Sequence, residues 1–81
     1  MKLPRDISGK ELAVALAALG YRVTRQTGSH IRLTSTERGE HHVTIPAHVP
    51  LRVGTLSAIL GDVADHFGTT RTAIAKRLFD R

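Results

Sequence analysis

The chain has 81 residues, with 12 Lys and Arg against 7 Asp and Glu and no cysteine. That length suits one domain burying roughly 60% of its unfolded surface, so any site should be shallow, and the lack of cysteine excludes disulfides and thiolate metal sites. A net charge of +5 carried mainly by arginine favours a nucleic acid or an acidic partner, because guanidinium binds phosphate bidentately.

Ser8-Gly9-Lys10-Glu11 has the form of a capping box, with Ile7 and Leu12 placed for a hydrophobic staple. Leu12, Leu16 and Leu19 follow at helical spacing and Gly20 is a suitable terminator, which predicts a helix over 9–19. From Tyr21 the period changes to two. Tyr21, Val23 and Arg25 alternate with Arg22, Thr24 and Gln26. Beyond a turn at Gly28, Ile31 and Leu33 alternate with His30, Arg32 and Thr34. Beyond Glu37-Arg38-Gly39-Glu40, Val43 and Ile45 alternate with His42 and Thr44. This predicts a three-stranded antiparallel meander. Tyr21, Val23, Ile31, Leu33, Val43 and Ile45 should lie on a face covered by helices. Arg22, Thr24, His30, Arg32, Thr34, His42 and Thr44 should lie on a wet, basic face.

Pro46 should end the third strand, since it donates no ladder bond. A connector containing Pro50 leads to a second helix from about Gly54, with Leu56, Ile59, Leu60, Val63 and Phe67 as its apolar stripe. Gly68 stops it, Thr69 or Thr70 caps a last helix, and Ile74, Ala75, Leu78 and Phe79 face inward. The expectation is one α+β domain over 1–81, with its core at about 8–67 and a helical extension at about 68–81. No apolar run approaches the ~20 residues that span a bilayer, and the N-terminal residues lack a signal-peptide core, so a cytoplasmic protein is expected.

Five histidines are present: His30, His41, His42, His48 and His66. His41 and His42 are adjacent on a strand and point to opposite faces, so they do not share an ion, and no metal site is expected. His30 opens a strand directly after the Gly28-Ser29 turn. There a rigid strand holds the side chain near the strand's end, and imidazole exchanges protons near neutral pH. Ser29 is placed to bond back to the turn backbone. Pairing Ile31 with Ile45 and Leu33 with Val43 sets His30 opposite Pro46. That leaves His48 close by and His42 on the order of 13 Å away. A slip of two residues would instead bring His42 closer. Such a site suits cleavage of an RNA phosphodiester by its own 2′-hydroxyl: an imidazole moves the proton, an arginine stabilises the phosphate, and no metal is needed. Arg25, Arg32 and Arg52 are the nearby arginines. Only Tyr21, Phe67 and Phe79 are aromatic, too few for a base-stacking platform.

Three motifs then occur in order: Arg25-Gln26-Thr27-Gly28-Ser29-His30, Val43-Thr44-Ile45-Pro46-Ala47-His48, and Val53-Gly54-Thr55-Leu56-Ser57-Ala58-Ile59-Leu60. With the helix ending Leu19-Gly20-Tyr21, the chain over about 8–62 resembles the HicA (YcfA-like) toxins of prokaryotic toxin–antitoxin pairs. The resemblance implies a double-stranded-RNA-binding-like α-β-β-β-α fold, here with an extra C-terminal helix. It implies a metal-independent mRNA interferase, with RNA as substrate and a HicB-like antitoxin as partner. It maps the catalytic histidine onto His30. Arg25, Gly28, Ser29, Arg32 and His48 are the expected RNA-binding residues. Many members carry a second histidine after the motif histidine; this chain has Ile31, which should point into the core.

Two other readings use the same residues. One is an RNA-binding module of the same fold that does not cut, reading A-form shape. The other is a helix-turn-helix DNA-binding protein over 56–79, with Ala64, Gly68 and Ile74 as its spacing residues and Arg71, Thr72 and Lys76 on the second helix.

Overall fold

The computed structural model describes residues 3–47 and 50–80. His48 therefore lies outside the described residues. The element order is α1 (Gly9–Leu16), a 3₁₀ turn (Ala17–Leu19), β1 (Arg22–Thr27), β2 (His30–Ser35), β3 (His41–Pro46), α2 (Val53–Phe67) and α3 (Arg71–Phe79). The strands form one antiparallel sheet in the order β1-β2-β3. This is the expected α+β fold, and it agrees with a double-stranded-RNA-binding-like arrangement carrying an extra C-terminal helix.

The local rules that start α1 are all present. Ser8 Oγ accepts from the Glu11 N–H at 3.0 Å, and the Ser8 N–H donates to the Glu11 carboxylate at 2.9 Å. Ile7 and Leu12, the staple pair, are both buried. The last turn tightens to 3₁₀ before Gly20 takes a left-handed conformation (φ 81°), which turns the chain into the sheet. At Gly9 the absent side chain matters more than the backbone angle. A Cβ there would collide with the carbonyl oxygen of Pro46 and come within 3.1 Å of the Ala47 Cα. Hydrogen in place of a side chain lets the start of α1 sit against the end of β3.

One apolar core holds the layers together. Leu12, Leu16 and Leu19 meet Tyr21, Ile31, Leu33, Val43 and Ile45 from the sheet, and Leu56, Ile59, Leu60 and Val63 from α2. Ile74 and Ala75 bring α3 into the same core. Ile31 is buried, as the departure from the family pattern requires. Ser35 is the polar exception. Its hydroxyl donates to the Leu19 carbonyl at 2.9 Å and accepts from the Glu37 N–H at 3.2 Å. Both polar functions are satisfied, so burying it carries no large desolvation penalty.

The β2–β3 register is the one that hydrophobic pairing requires: Ile31 opposite Ile45, Leu33 opposite Val43, and His30 opposite Pro46. The β1–β2 register departs from simple alternation. Val23 pairs with Leu33, but the next pair is Arg25 with Arg32, leaving Thr24 as an extra residue in a β-bulge. Two expectations change as a result. Arg25, which alternation put in phase with Tyr21 and Val23, lies on the polar face opposite Arg32. Gln26 moves to the other phase, opposite Ile31. Val23 keeps its phase but is 52% exposed instead of buried, because β1 is an edge strand and α1 does not cover it fully.

Candidate functional site: the open face of the sheet

The helices cover one face of the sheet and leave the other bare. Across the bare face the register sets three rows. Thr27, His30 and Pro46 form the first, Arg25, Arg32 and Thr44 the second, and Arg22, Thr34 and His42 the third. Successive rows are about 7 Å apart, the spacing of two residues along a strand. Arg25 and Arg32 are directly opposite across β1 and β2, and both are exposed. Like charges so placed repel each other. The ion pairs among the described residues are His41–Asp62 and His42–Glu40, so no carboxylate relieves either arginine there. Two unpaired guanidiniums side by side, one row from an imidazole, make an anion site on a shallow surface.

The histidines differ in how their ring nitrogens are used. His42 has both engaged: Nδ1 accepts from the Thr34 hydroxyl at 2.7 Å, and Nε2–H donates to the Glu40 carboxylate at 2.9 Å. The Thr24 hydroxyl sits 3.0 Å from that of Thr34, so a polar chain from Thr24 to Glu40 crosses all three strands. His41 points to the opposite side of the sheet. Its Nδ1 accepts from the Tyr21 phenol at 2.7 Å, and its Nε2 faces the Asp62 carboxylate at 3.4 Å. His66 stacks on His41 with ring centres 4.4 Å apart, and its Nε2–H donates to the Glu37 carbonyl at 2.8 Å. His66 Nδ1 has no hydrogen-bond partner among the described residues, but that ring is stacked on His41 on the helix-covered side; His30 is the histidine on the bare face that keeps one nitrogen unengaged by them. Its Nδ1 lies 3.2 Å from Ser29 Oγ, and its Nε2 has no partner among the described residues.

The turn before His30 is a two-residue hairpin loop, Gly28-Ser29, closed by the Thr27–His30 pair. Gly28 has φ 43°, a conformation that glycine adopts without steric cost. Ser29 does not bond back to the turn as expected. With the loop already closed by strand pairing, its hydroxyl turns to His30 and its carbonyl accepts from the Ala47 N–H at 2.7 Å. That bond ties the end of β3 to the loop carrying the histidine.

The remaining sequence candidates fall elsewhere. Arg52 is the N-cap residue of α2 and is not part of the sheet. In the α2–α3 hairpin, Ala64 and Ile74 are buried and Gly68 takes the left-handed cap conformation. Arg71, one of the proposed groove readers, donates to Ser57 Oγ at 3.1 Å and lies over Gly61. Thr72 and Lys76 remain exposed. Sequence reasoning missed the Thr24–Thr34–His42–Glu40 chain, which appears only once the three strands are in register. It also missed the bulge, although an arginine in phase with Tyr21 and Val23 was a clue that the alternation breaks.

Fold and face together define a small α+β protein of double-stranded-RNA-binding-like architecture with a bare, basic sheet. The family model described as HicA toxin of bacterial toxin–antitoxin matches residues 9–64, and the chain belongs to that family. The match takes in α1, all three strands and most of α2, and stops short of α3. No curated protein and no solved structure matches the chain. No helix among the described residues is long and apolar enough to cross a membrane.

Proposed function

We propose that this toxin is a metal-independent ribonuclease acting on mRNA in the cytoplasm, with His30 as its acid–base residue and Arg25 and Arg32 as its phosphate clamp. The observation that carries the reading is the combination, among the described residues, of an unengaged His30 Nε2 with two uncompensated arginines one row away. In the proposed reaction the arginines hold the non-bridging phosphate oxygens. His30 takes the proton of the adjacent 2′-hydroxyl, and the freed oxygen attacks phosphorus. The bond to the 5′ oxygen breaks, leaving a 2′,3′-cyclic phosphate and a 5′-hydroxyl that takes its proton from solvent. A positioned base contributes ~10²–10⁴ in rate. Charge stabilisation by the arginines supplies a further part. Gly28 and Ser29 shape the loop beside the histidine, and Ser29 orients the ring through Nδ1. His48, two residues past the end of β3 in the sequence, is proposed as an RNA contact. His42 is not proposed as the second acid, since both of its nitrogens are engaged and it sits two rows away. A HicB-like antitoxin is the proposed inhibitor.

The test is to incubate purified protein with end-labelled single-stranded RNA in EDTA, with the wild type beside His30→Ala. Fragments ending in cyclic phosphate are expected from wild type alone. Because His30 is exposed, the variant should melt within about 0.5 kcal/mol of wild type. Equal cleavage by the variant would remove His30 from the mechanism. Salt-sensitive RNA binding by wild type without fragments would favour a binding module.

A further inference from the structure

A second surface adjoins the basic face. Val14 on α1 is 76% exposed and Val23 on β1 is 52% exposed. With Ala13 and Ala17 they line an open apolar groove between α1 and β1, and Lys10 and Arg22 also line it. β1 is an edge strand, and all six of its residues are exposed.

We propose that this groove and edge seat an extended, acidic segment of the antitoxin, laid along β1. The inference rests on the toxin–antitoxin reading and adds where and how the partner grips. Strand side chains alternate between faces. β1 shows Val23 to the groove and Arg25 to the bare face, with Arg22 paired to Thr34 and also at the groove's rim. A partner strand alternating apolar and acidic residues matches both. Its apolar side chain fills the gap between Val14 and Val23, and its carboxylates reach Arg22 and Arg25. A second copy of this chain does not fit as well. A two-fold interface sets the same patch against itself, so Lys10 and Arg22 would meet their own copies. The arrangement has a consequence for inhibition. A carboxylate on Arg25 occupies half of the proposed phosphate clamp, so the antitoxin competes with RNA for charge without having to touch His30.

The experiment uses the full chain and a purified HicB-like antitoxin. Calorimetric titrations compare wild type, Val14→Asp and Val23→Asp, and each protein is also assayed for RNA cleavage without antitoxin. Both valines are exposed, so both variants should fold, which circular dichroism checks; Val14→Lys and Val23→Lys replace any that do not. The proposal expects each aspartate to weaken antitoxin binding about tenfold or more. Free variants should cut RNA as wild type does, and the antitoxin should no longer stop them at wild-type concentrations. Unchanged affinity in both aspartate variants would overturn the proposal. A wild-type homodimer in sedimentation that Val23→Asp dissolves would overturn it too, by assigning the groove to a second copy. Failure of free wild-type protein to cut RNA would instead count against the ribonuclease reading, while the titrations would still decide the groove.

Discussion

Tyr21 is 1% exposed, and its phenol donates to His41 Nδ1 in an otherwise apolar setting between the sheet and Phe67. Burial pushes that phenol up to about 12, and the nearby Asp62 carboxylate acts in the same direction. The group is an acid whose neutral form the fold prefers. Its contribution to stability is therefore complete below its unfolded value near 10 and is lost as pH rises through 12. Denaturant melts should show stability falling from pH ~10, by up to about 3 kcal/mol once both states are ionised. Tyr21→Phe should lack that alkaline loss while giving up the hydrogen bond, at a cost of about 1 kcal/mol near neutrality. A wild-type curve as flat as the variant's between pH 9 and 12 would show that the phenol is not so perturbed. Residue by residue, the sequence identified His30 by type and place. It gave no means of telling that His42 and His41 have both nitrogens engaged while His30 Nε2 is left open among the described residues, because strand register brings Thr34 to His42 and packing brings Tyr21 and Asp62 to His41.

At the scale of elements, β1 is where local pattern and final structure part. Periodicity defined the three strands and both long helices, since apolar residues at spacings of two and 3.6 have only one face to bury. The capping box, Gly20 and Gly68 marked ends that the structure keeps. The bulge was not legible in the same way. It depends on a competition between continuing the alternation, which would turn Arg25 toward the core, and leaving Thr24 unpaired. The second keeps the guanidinium on the wet face and sets Gln26 beside the apolar groove in its place. Deletion of Thr24 should therefore be tolerated. Val23 would remain opposite Leu33 and Arg25 opposite Arg32, with the loss of the Thr24–Thr34 hydroxyl contact costing about 1 kcal/mol. Deletion of Arg32, by contrast, shifts one side of the central strand by a residue and should abolish cooperative unfolding. Thermal melts of the two deletions side by side test this, and equal damage from both would refute the bulge as the buffering position.

For the whole molecule the question is how charge is distributed. A net charge of +5 says only that the protein attracts polyanions. The fold puts Arg22, Arg25 and Arg32 on one bare face, while Arg71 is drawn into the α2–α3 hairpin. RNA affinity measured against salt should fall linearly on logarithmic axes. Replacing Arg25 and Arg32 together by alanine should lower that slope by about 1.4, the release of two counterions from a single strand. Replacing Thr72 and Lys76 on α3 should leave it nearly unchanged. The reverse result would move RNA to the helical extension.

The sequence by itself determined the helices, the three strands and His30 as the candidate acid–base residue, and it narrowed the β2–β3 register to two alternatives a two-residue slip apart. Each of these follows from spacing and residue type within a few dozen residues. Only the tertiary structure decided that Arg25 faces Arg32, that His42 is held by Thr34, and that Val14 and Val23 are left uncovered beside an edge strand. The physical reason is the same in each case. These features depend on which groups from distant parts of the chain are left without partners once the core has closed. That balance is struck across strands and layers and leaves little trace in local periodicity.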